Sequence, residues 1–369
     1  MKTDEKSARY QQLKHRLFFI QFCFNLVFLA CFAFSGLSVY LRNYARYLAS
    51  SVLISNSIYL LIFSVTLQVV TFPLTFFEEF IWEHKFNLSN QNFFAWIKDF
   101  FKKAFLGFVV LLLMVEAVYF FLGRYPQWWW LQAALFYLFV TFFLAKITPN
   151  VIVPLFFKYI PLQNSELKKN IFQLFKKANV ALKDIYVINL SAKTKKANAF
   201  ICGVGDTRRV VLSDTLVRDF SHPEIETVVA HELGHYKHRD IVKLMTINAV
   251  VVLAGFFVMD KLLKNSLPLL GLHRIDDIAF FPMIVITFSI LGLMMMPLTN
   301  GYSRWIERKA DQFSLTLTQK PEDFISMIRK LGEMNLAEFK PSWLNEMIFY
   351  DHPPIAERIR FAECFVKKV

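Results

Sequence analysis

The chain has 369 residues, of which 55% are hydrophobic and only 19% are charged. An ordinary soluble globular protein carries about a quarter charged residues, so this composition argues against that class. The formal net charge of +13 would suit a nucleic-acid-binding protein, but most basic residues lie in alternate segments between apolar stretches, as the positive-inside rule expects. We therefore predict the lipid bilayer, and no nucleic acid, as a partner.

Six stretches with few or no charges are candidate membrane spans, since about 20 apolar residues are needed to cross the hydrocarbon core. The first stretch is longer than the apolar region of a cleavable signal peptide, so it is expected to be retained. The fifth is short and must extend into its flanking sequence to cross. The predicted spans are residues 17–41, 52–77, 104–123, 126–147, 244–260 and 278–299.

The spans divide the chain into four predicted regions. Residues 1–157 form an N-terminal transmembrane region, and residues 244–303 form a two-span hairpin. Residues 158–243 and 304–369 are polar enough to be aqueous, and together they would form the catalytic part. In the first of these, we expect a helix capped by Ser165, strands over 185–190 and 209–214, and a second helix beginning at the pattern "SHPE".

The sequence "HELGH" at residues 231–235 carries the clearest chemical signal. On a helix, His231 and His235 share one face and can bind the same zinc ion, while Glu232 can act as a general base on water. A charged helix face is the alternative interpretation, because Lys237, His238 and Arg239 follow directly.

A catalytic zinc needs at least one further protein ligand. The extended form of this motif places a histidine at position 241, which is isoleucine here. The later segment "NGYSRWIERKADQF" offers Glu307 as the third ligand, and Asp311 as an acceptor for a hydrogen bond from a ligand imidazole. A solvated helix face that carries charges four residues apart would give a similar sequence pattern, and it is the alternative interpretation of this segment. Both zinc segments fall on the inner side of the six predicted spans, so they can contribute ligands to the same site. We therefore predict one zinc ion per chain.

These motifs resemble the type I CAAX prenyl protease family, which are membrane-embedded zinc endopeptidases. Three further segments share the resemblance: "NAFICG", "NGYSRWIERKAD" and "DHPPIAERI". The resemblance runs from about residue 8 to residue 360. It implies a mainly α polytopic membrane protein, with about six transmembrane helices enclosing a chamber. A zincin-like catalytic domain with a small β-sheet would lie on the inner side.

The resemblance also implies roles for individual residues. His231, His235 and Glu307 would bind zinc, and Glu232 would be catalytic. The segment with Asn198, Ala199 and Gly203 would be an edge strand that holds an extended substrate. His352 and Arg358 would lie near the substrate carbonyl or its C-terminal side. On the residues alone, His352 would be interpreted as a turn residue before two prolines.

The predicted function is hydrolysis of peptide bonds in membrane-associated or prenylated CAAX-type peptides by a membrane-integral zinc metalloendopeptidase. The substrate would be a peptide or membrane protein, with or without a lipid group. The alternatives are a heat-shock-type quality-control protease, an intramembrane site-2-type protease, and a non-catalytic zinc scaffold or transporter.

The predicted location follows from the span count. Both termini and the active site would lie on the cytoplasmic side. Eukaryotic members of the family have seven spans, and this chain would lack the first. It is therefore expected in a bacterial inner membrane, or in the endoplasmic reticulum if it is eukaryotic.

Overall fold

The computed structural model describes residues 2–203, 205–266 and 274–366, and most of them are helical. Six helices among these residues are long and apolar enough to cross a membrane, which confirms the predicted fold class. The candidate spans are Glu5–Phe34, Val52–Lys85, Phe93–Arg124, Trp129–Phe156, Asp240–Asn265 and Ile278–Thr318.

The first half of the chain forms most of the membrane region. Its helices are α1 (Lys2–Phe34), α2 (Leu37–Leu48), α3 (Val52–Phe76), α4 (Glu83–Lys85), α5 (Phe93–Arg124), α6 (Trp129–Ile147) and α7 (Val153–Phe156). Short π-helical turns join α3 to α4 and α6 to α7. A buried apolar cluster that includes Tyr59, Trp129 and Phe280 packs the spans together.

The first span differs from its predicted extent of 17–41. Helix α1 ends at Phe34, because Gly36 adopts a left-handed backbone conformation with φ of 82°. Glycine adopts this conformation without the steric penalty of a side chain. The chain then continues as α2, a separate helix that buries Ser38, Leu41 and Ala45. The uncharged stretch therefore contains a helix break that hydropathy does not show.

The last two spans also extend beyond their predicted bounds. Helix α11 (Asp240–Ser266) begins four residues before the predicted start and so takes in flanking sequence. Helix α12 (Phe281–Thr318) continues without interruption from the membrane region into the catalytic part. The segment boundary predicted near residue 304 thus lies inside one helix, so the predicted zinc ligand Glu307 lies on the same helix as the sixth span.

The catalytic part packs helices on a small sheet. Its helices are α8 (Ser165–Lys177), α9 (Asp214–Asp219), α10 (His222–Lys237), α13 (Pro321–Met334), α14 (Trp343–Phe349) and α15 (Ile355–Val366). Its strands are β1 (Tyr159–Pro161), β2 (Asp184–Ile188), β3 (Ala199–Cys202) and β4 (Arg209–Ser213). Asn164, rather than Ser165, caps α8, because its side chain accepts a hydrogen bond from the backbone of Leu167.

The sheet has the strand order β1-β2-β4-β3. Strands β2 and β4 are parallel, whereas β1 and β3 each run antiparallel to their neighbour. Strand β3 therefore lies at one edge of this sheet, with its free side unpaired within the sheet. Residues of the sheet pack with α8 and α10 in a buried core, in which Ile171, Leu212 and Val229 are fully buried.

Glu224 joins the start of α10 to α13. Its buried carboxylate accepts hydrogen bonds from the Ser221 backbone, from Ser326 and from Lys330, at 2.6–2.8 Å. Burial alone would raise its pKa, but the bonds from Lys330 and Ser326 outweigh burial and hold the pKa below its ordinary value. Because the folded-state pKa is depressed, the stabilisation is present at neutral pH and is lost as the pH falls through that pKa.

We therefore expect Glu224→Gln to lower the free energy of unfolding by about 1.5–3 kcal/mol at neutral pH. The difference from wild type should shrink in acid. Thermal unfolding in detergent over a pH series measures both effects. The exposed Glu322 on α13 provides the control substitution Glu322→Gln. Equal stability of the Glu224→Gln variant and wild type at neutral pH would contradict the expectation.

Candidate active site

Helix α10 carries the predicted metal ligands, and its start is fixed by local sequence. Ser221 and Glu224 form a reciprocal capping box, and Pro223 lies in the first turn. This arrangement satisfies backbone groups that the helix cannot bond internally. It confirms the helix start predicted from "SHPE". Farther along, Ala230 and Leu233 are fully buried and hold the helix against the core.

Gly234 lets α10 approach α12 closely. A Cβ atom at this position would lie 3.1 Å from Cα of Ala310 and 3.3 Å from its carbonyl oxygen. Those are tight contacts with backbone atoms, which could be relieved only by moving one helix. The close approach places Glu307, on α12, opposite His231 and His235.

The side chains of His231, His235 and Glu307 meet at one point. The two Nε2 atoms are 3.2 Å apart, and each lies 3.1–3.2 Å from an oxygen of Glu307. Two donors bound to one tetrahedral zinc at about 2.0–2.1 Å would be about 3.3 Å apart. The spacing of these three groups therefore fits a metal ion held between them.

The chemistry of the three groups also fits a cation. Oε2 of Glu307 is buried and receives no well-aligned hydrogen bond from the described residues. Burial alone would lower the pKa of His231, but its contacts with Asp311 and Glu307 outweigh burial and raise that pKa to about 10. The site thus stabilises positive charge. A divalent metal ion would satisfy the acceptors that face one another here.

Asp311 and Arg358 extend the cluster behind His231. Oδ1 of Asp311 lies 2.8 Å from Nδ1 of His231, an ion-pair contact that lacks the alignment of a hydrogen bond. An acceptor in this position can orient a ligand imidazole, which is the role predicted for Asp311. The guanidinium of Arg358 donates two hydrogen bonds to the same carboxylate, at 2.6 and 2.8 Å. Arg358 was expected to face the substrate carbonyl or its C-terminal side. The structure places two of its donors on Asp311, a buried partner that sequence spacing could not indicate, and Arg358 also lines the cavity that Glu232 faces, so its predicted contact with the substrate stays a prediction.

Sequence reasoning did not identify Asp240. The contact of Asp311 with His231 is an ion-pair distance alone, whereas the Oδ2 atom of Asp240 lies 3.1 Å from Nδ1 of His235 in a hydrogen bond. The contact depends on Arg239, whose left-handed backbone conformation (φ 55°) turns the chain back after α10. The sequence did offer a signal for Asp240, because it is an acidic residue directly after the basic run that follows the zinc motif.

Glu232 faces a cavity of about 630 Å³. Burial raises the pKa of Glu232, while the neighbouring His231 and His235 oppose that change. Asn198 and Ala199 line the same cavity, at the start of the edge strand β3. Tyr10, Gln11 and Lys14 of α1 form part of its wall, so a membrane-region helix borders the site.

The remaining two predicted residues lie in different surroundings. His352 is half exposed in the loop before Pro353, and its Nε2 atom lies 3.4 Å from Oε2 of Glu307. It therefore lies beside the candidate metal position. Gly203 lies at the far end of β3, outside the cavity lining. Its φ of 89° and its close approach to the Thr207 carbonyl indicate a turn rather than substrate contact.

Comparisons with known proteins identify the family. Residues 161–365 match the model for peptidase family M48, which is more than half of the chain. The chain belongs to peptidase family M48. Residues 2–158 of this M48 peptidase match a second model, described as the CAAX prenyl protease N-terminal region with five membrane helices. The resemblance found in the sequence is thereby confirmed.

Two curated relatives show how far the similarity extends. The M48 peptidase is 30% identical to an uncharacterized metalloprotease, YhfN, of Bacillus subtilis, over 98% of this chain and 86% of the relative. It is 28% identical to a CAAX prenyl protease 1 homolog of Arabidopsis thaliana, over 79% of this chain and 70% of that one.

A solved structure supports the fold. The crystal structure of S. mikatae Ste24p matches with a TM-score of 0.88 and 24% identity, over 98% of this chain and 89% of the other. The chain is therefore a multi-pass membrane metalloprotease of the M48 family, related to the CAAX prenyl proteases.

Proposed function

We propose that this protein is a zinc endopeptidase that cleaves membrane-associated peptides, with prenylated CAAX-type peptides as one candidate class. The observation that carries the proposal is the convergence of His231, His235 and Glu307 beside a cavity that also contains Glu232. Structural zinc sites are commonly closed by four protein ligands. Three ligands next to an open cavity favour a catalytic site over a scaffold.

His231, His235 and Glu307 would hold the zinc ion. When bound there, zinc supplies Lewis acidity, which lowers the pKa of water and polarises a carbonyl group. Glu232 accepts a proton from the attacking water and delivers it to the leaving amine. His352, whose Nε2 atom lies 3.4 Å from Oε2 of Glu307, would donate a hydrogen bond to the developing oxyanion, an interaction worth about 3 kcal/mol in other hydrolases.

The edge strand offers a way to align the substrate. Asn198 and Ala199 line the cavity, and β3 pairs within its sheet only with β4. An extended peptide could add to the unpaired edge through main-chain hydrogen bonds. This mode of binding is largely independent of side-chain identity, which suits a protease that accepts several sequences.

The location of the cavity supports a membrane-associated substrate. Its wall includes α1, which is also the first candidate span, and α12 carries Glu307 directly from the sixth span. A peptide anchored in the bilayer could reach such a site without leaving the membrane surface. By the distribution of basic residues, we place the site and both termini on the cytoplasmic side.

Purified protein should be tested against farnesylated CAAX peptides and unmodified membrane-anchored peptides of the same sequence. We expect cleavage that a chelator abolishes and added zinc restores. A preference for the farnesylated set would support prenyl-peptide processing, whereas equal cleavage would indicate general membrane-protein turnover. Zinc-loaded protein that cleaves neither set would contradict the proposal.

A further inference from the structure

Asp240 connects a predicted zinc ligand to the first turn of a membrane span. It is the first residue of α11 and is 2% exposed. Its two carboxylate oxygens have different partners: Oδ2 lies 3.1 Å from Nδ1 of His235, and Oδ1 accepts a hydrogen bond from Nζ of Lys243 at 2.8 Å. Both oxygens are therefore used as acceptors.

The first contact determines which nitrogen of His235 can bind a metal. Neutral imidazole carries one proton, and the nitrogen without it is the metal ligand. With Asp240 at Nδ1, the proton is held there, and the lone pair on Nε2 faces His231 and Glu307. A carboxylate in this position also increases the basicity of the imidazole.

The second contact explains why a carboxylate is needed. Two donors, Nδ1–H of His235 and the ammonium of Lys243, approach this one side chain. Asparagine has only one acceptor oxygen, and its amide group is a donor. If the oxygen bonds to Lys243, the amide faces His235 and favours the tautomer with the proton on Nε2, and Nε2 then has no lone pair for a metal between His231 and Glu307.

We propose that Asp240 is a positioning residue that fixes the metal-binding tautomer of His235 and so sets the zinc affinity of the site. This inference rests on the proposed function, because it takes the cluster of His231, His235 and Glu307 to be a zinc site. The proposal adds a residue of α11 to the zinc site, which also includes residues of α10 and α12. Both of the last two spans would then contribute to the site.

The test is the zinc dissociation constant of the full-length protein in detergent, measured by competition with a chromogenic chelator. Loss of a hydrogen-bond partner of a ligating histidine typically weakens metal binding by about 10–100-fold, and we expect Asp240→Asn to do so. Adding Lys243→Met should restore much of the affinity, because the single amide oxygen is then free for Nδ1–H of His235. Lys243→Met alone should leave the affinity near that of wild type.

Asp260 provides a matched control on the same helix. It is also 2% exposed, and it also accepts hydrogen bonds from one ring nitrogen and one lysine, Trp129 and Lys264. Asp260→Asn should lower thermal stability without changing zinc affinity. If a general loss of helix packing weakened zinc binding, it would do so in both variants. Loss of the metal-binding tautomer of His235 would weaken zinc binding only in Asp240→Asn.

Three results would overturn the inference: wild-type affinity in Asp240→Asn, equal weakening in Asp260→Asn, or no recovery in the double variant. The proposed function can fail separately. If wild type binds zinc and Asp240→Asn binds it weakly, but no peptide is cleaved, the role of Asp240 stands and the protease activity does not. If wild type binds no zinc, both are wrong.

Discussion

Replacing Glu232 by Gln should lower kcat for peptide cleavage by about 10²–10⁴-fold, the usual contribution of a general base. Glutamine is similar in size and polar, so the cavity should keep its shape. It cannot accept a proton from water at neutral pH. Because the metal position is defined by His231, His235 and Glu307, zinc should remain bound. Steady-state kinetics and the zinc content of the purified variant measure the two expectations.

Glu226 is the matched control for this substitution. It lies on the same helix, six residues earlier and outside the cavity lining, where its carboxylate accepts hydrogen bonds from Asn170 and Lys320. Glu226→Gln should retain kcat close to that of wild type. Full activity in Glu232→Gln would show that another group accepts the proton. Loss of zinc in that variant would show that Glu232 supports the metal site instead.

The local part of the site could be predicted from the sequence. His231 and His235 face one point because residues four apart share a face of any α-helix. The capping pattern at Ser221 and Glu224 likewise acts over three residues, and the structure has both halves of it. Such features depend on helix geometry alone, so no tertiary information is needed to expect them.

The distant part could be predicted only as residue types, and Asp240 was missed. Glu307 reaches the histidines only because Gly234 allows close packing against Ala310, a contact between different helices. Asp240 depends on the left-handed backbone at Arg239, a residue type with no preference for that conformation. The end of α1 at Phe34 was hidden for a similar reason, since Ser35 and Gly36 add no charge to the apolar stretch. Each of these is set by backbone conformation or packing, which hydropathy and spacing do not report.

The second large effect is expected at Arg358, which both bonds to Asp311 and lines the cavity, so it could support the metal site or contact the substrate. Arg358 is largely buried and holds Asp311, which in turn lies 2.8 Å from His231. Arg358→Met would leave a buried carboxylate without its cation. Removing one member of a buried ion pair typically costs about 3–5 kcal/mol of stability, so this variant should unfold at a lower temperature. Asp311 would also hold His231 less firmly, so zinc affinity should fall together with stability.

Two further variants distinguish this role from direct contact with the substrate. Arg358→Lys keeps the charge but cannot reproduce the paired hydrogen bonds, so we expect an intermediate loss of stability. Arg308→Met removes an exposed pair with Glu357, and exposed pairs contribute about 0–1 kcal/mol. If Arg358 acted only on the substrate oxyanion, Arg358→Met would lower kcat while thermal stability and zinc affinity stayed at their wild-type values. The paired contact with Asp311 argues for the opposite pattern, in which stability and zinc affinity change first and kcat falls as their consequence.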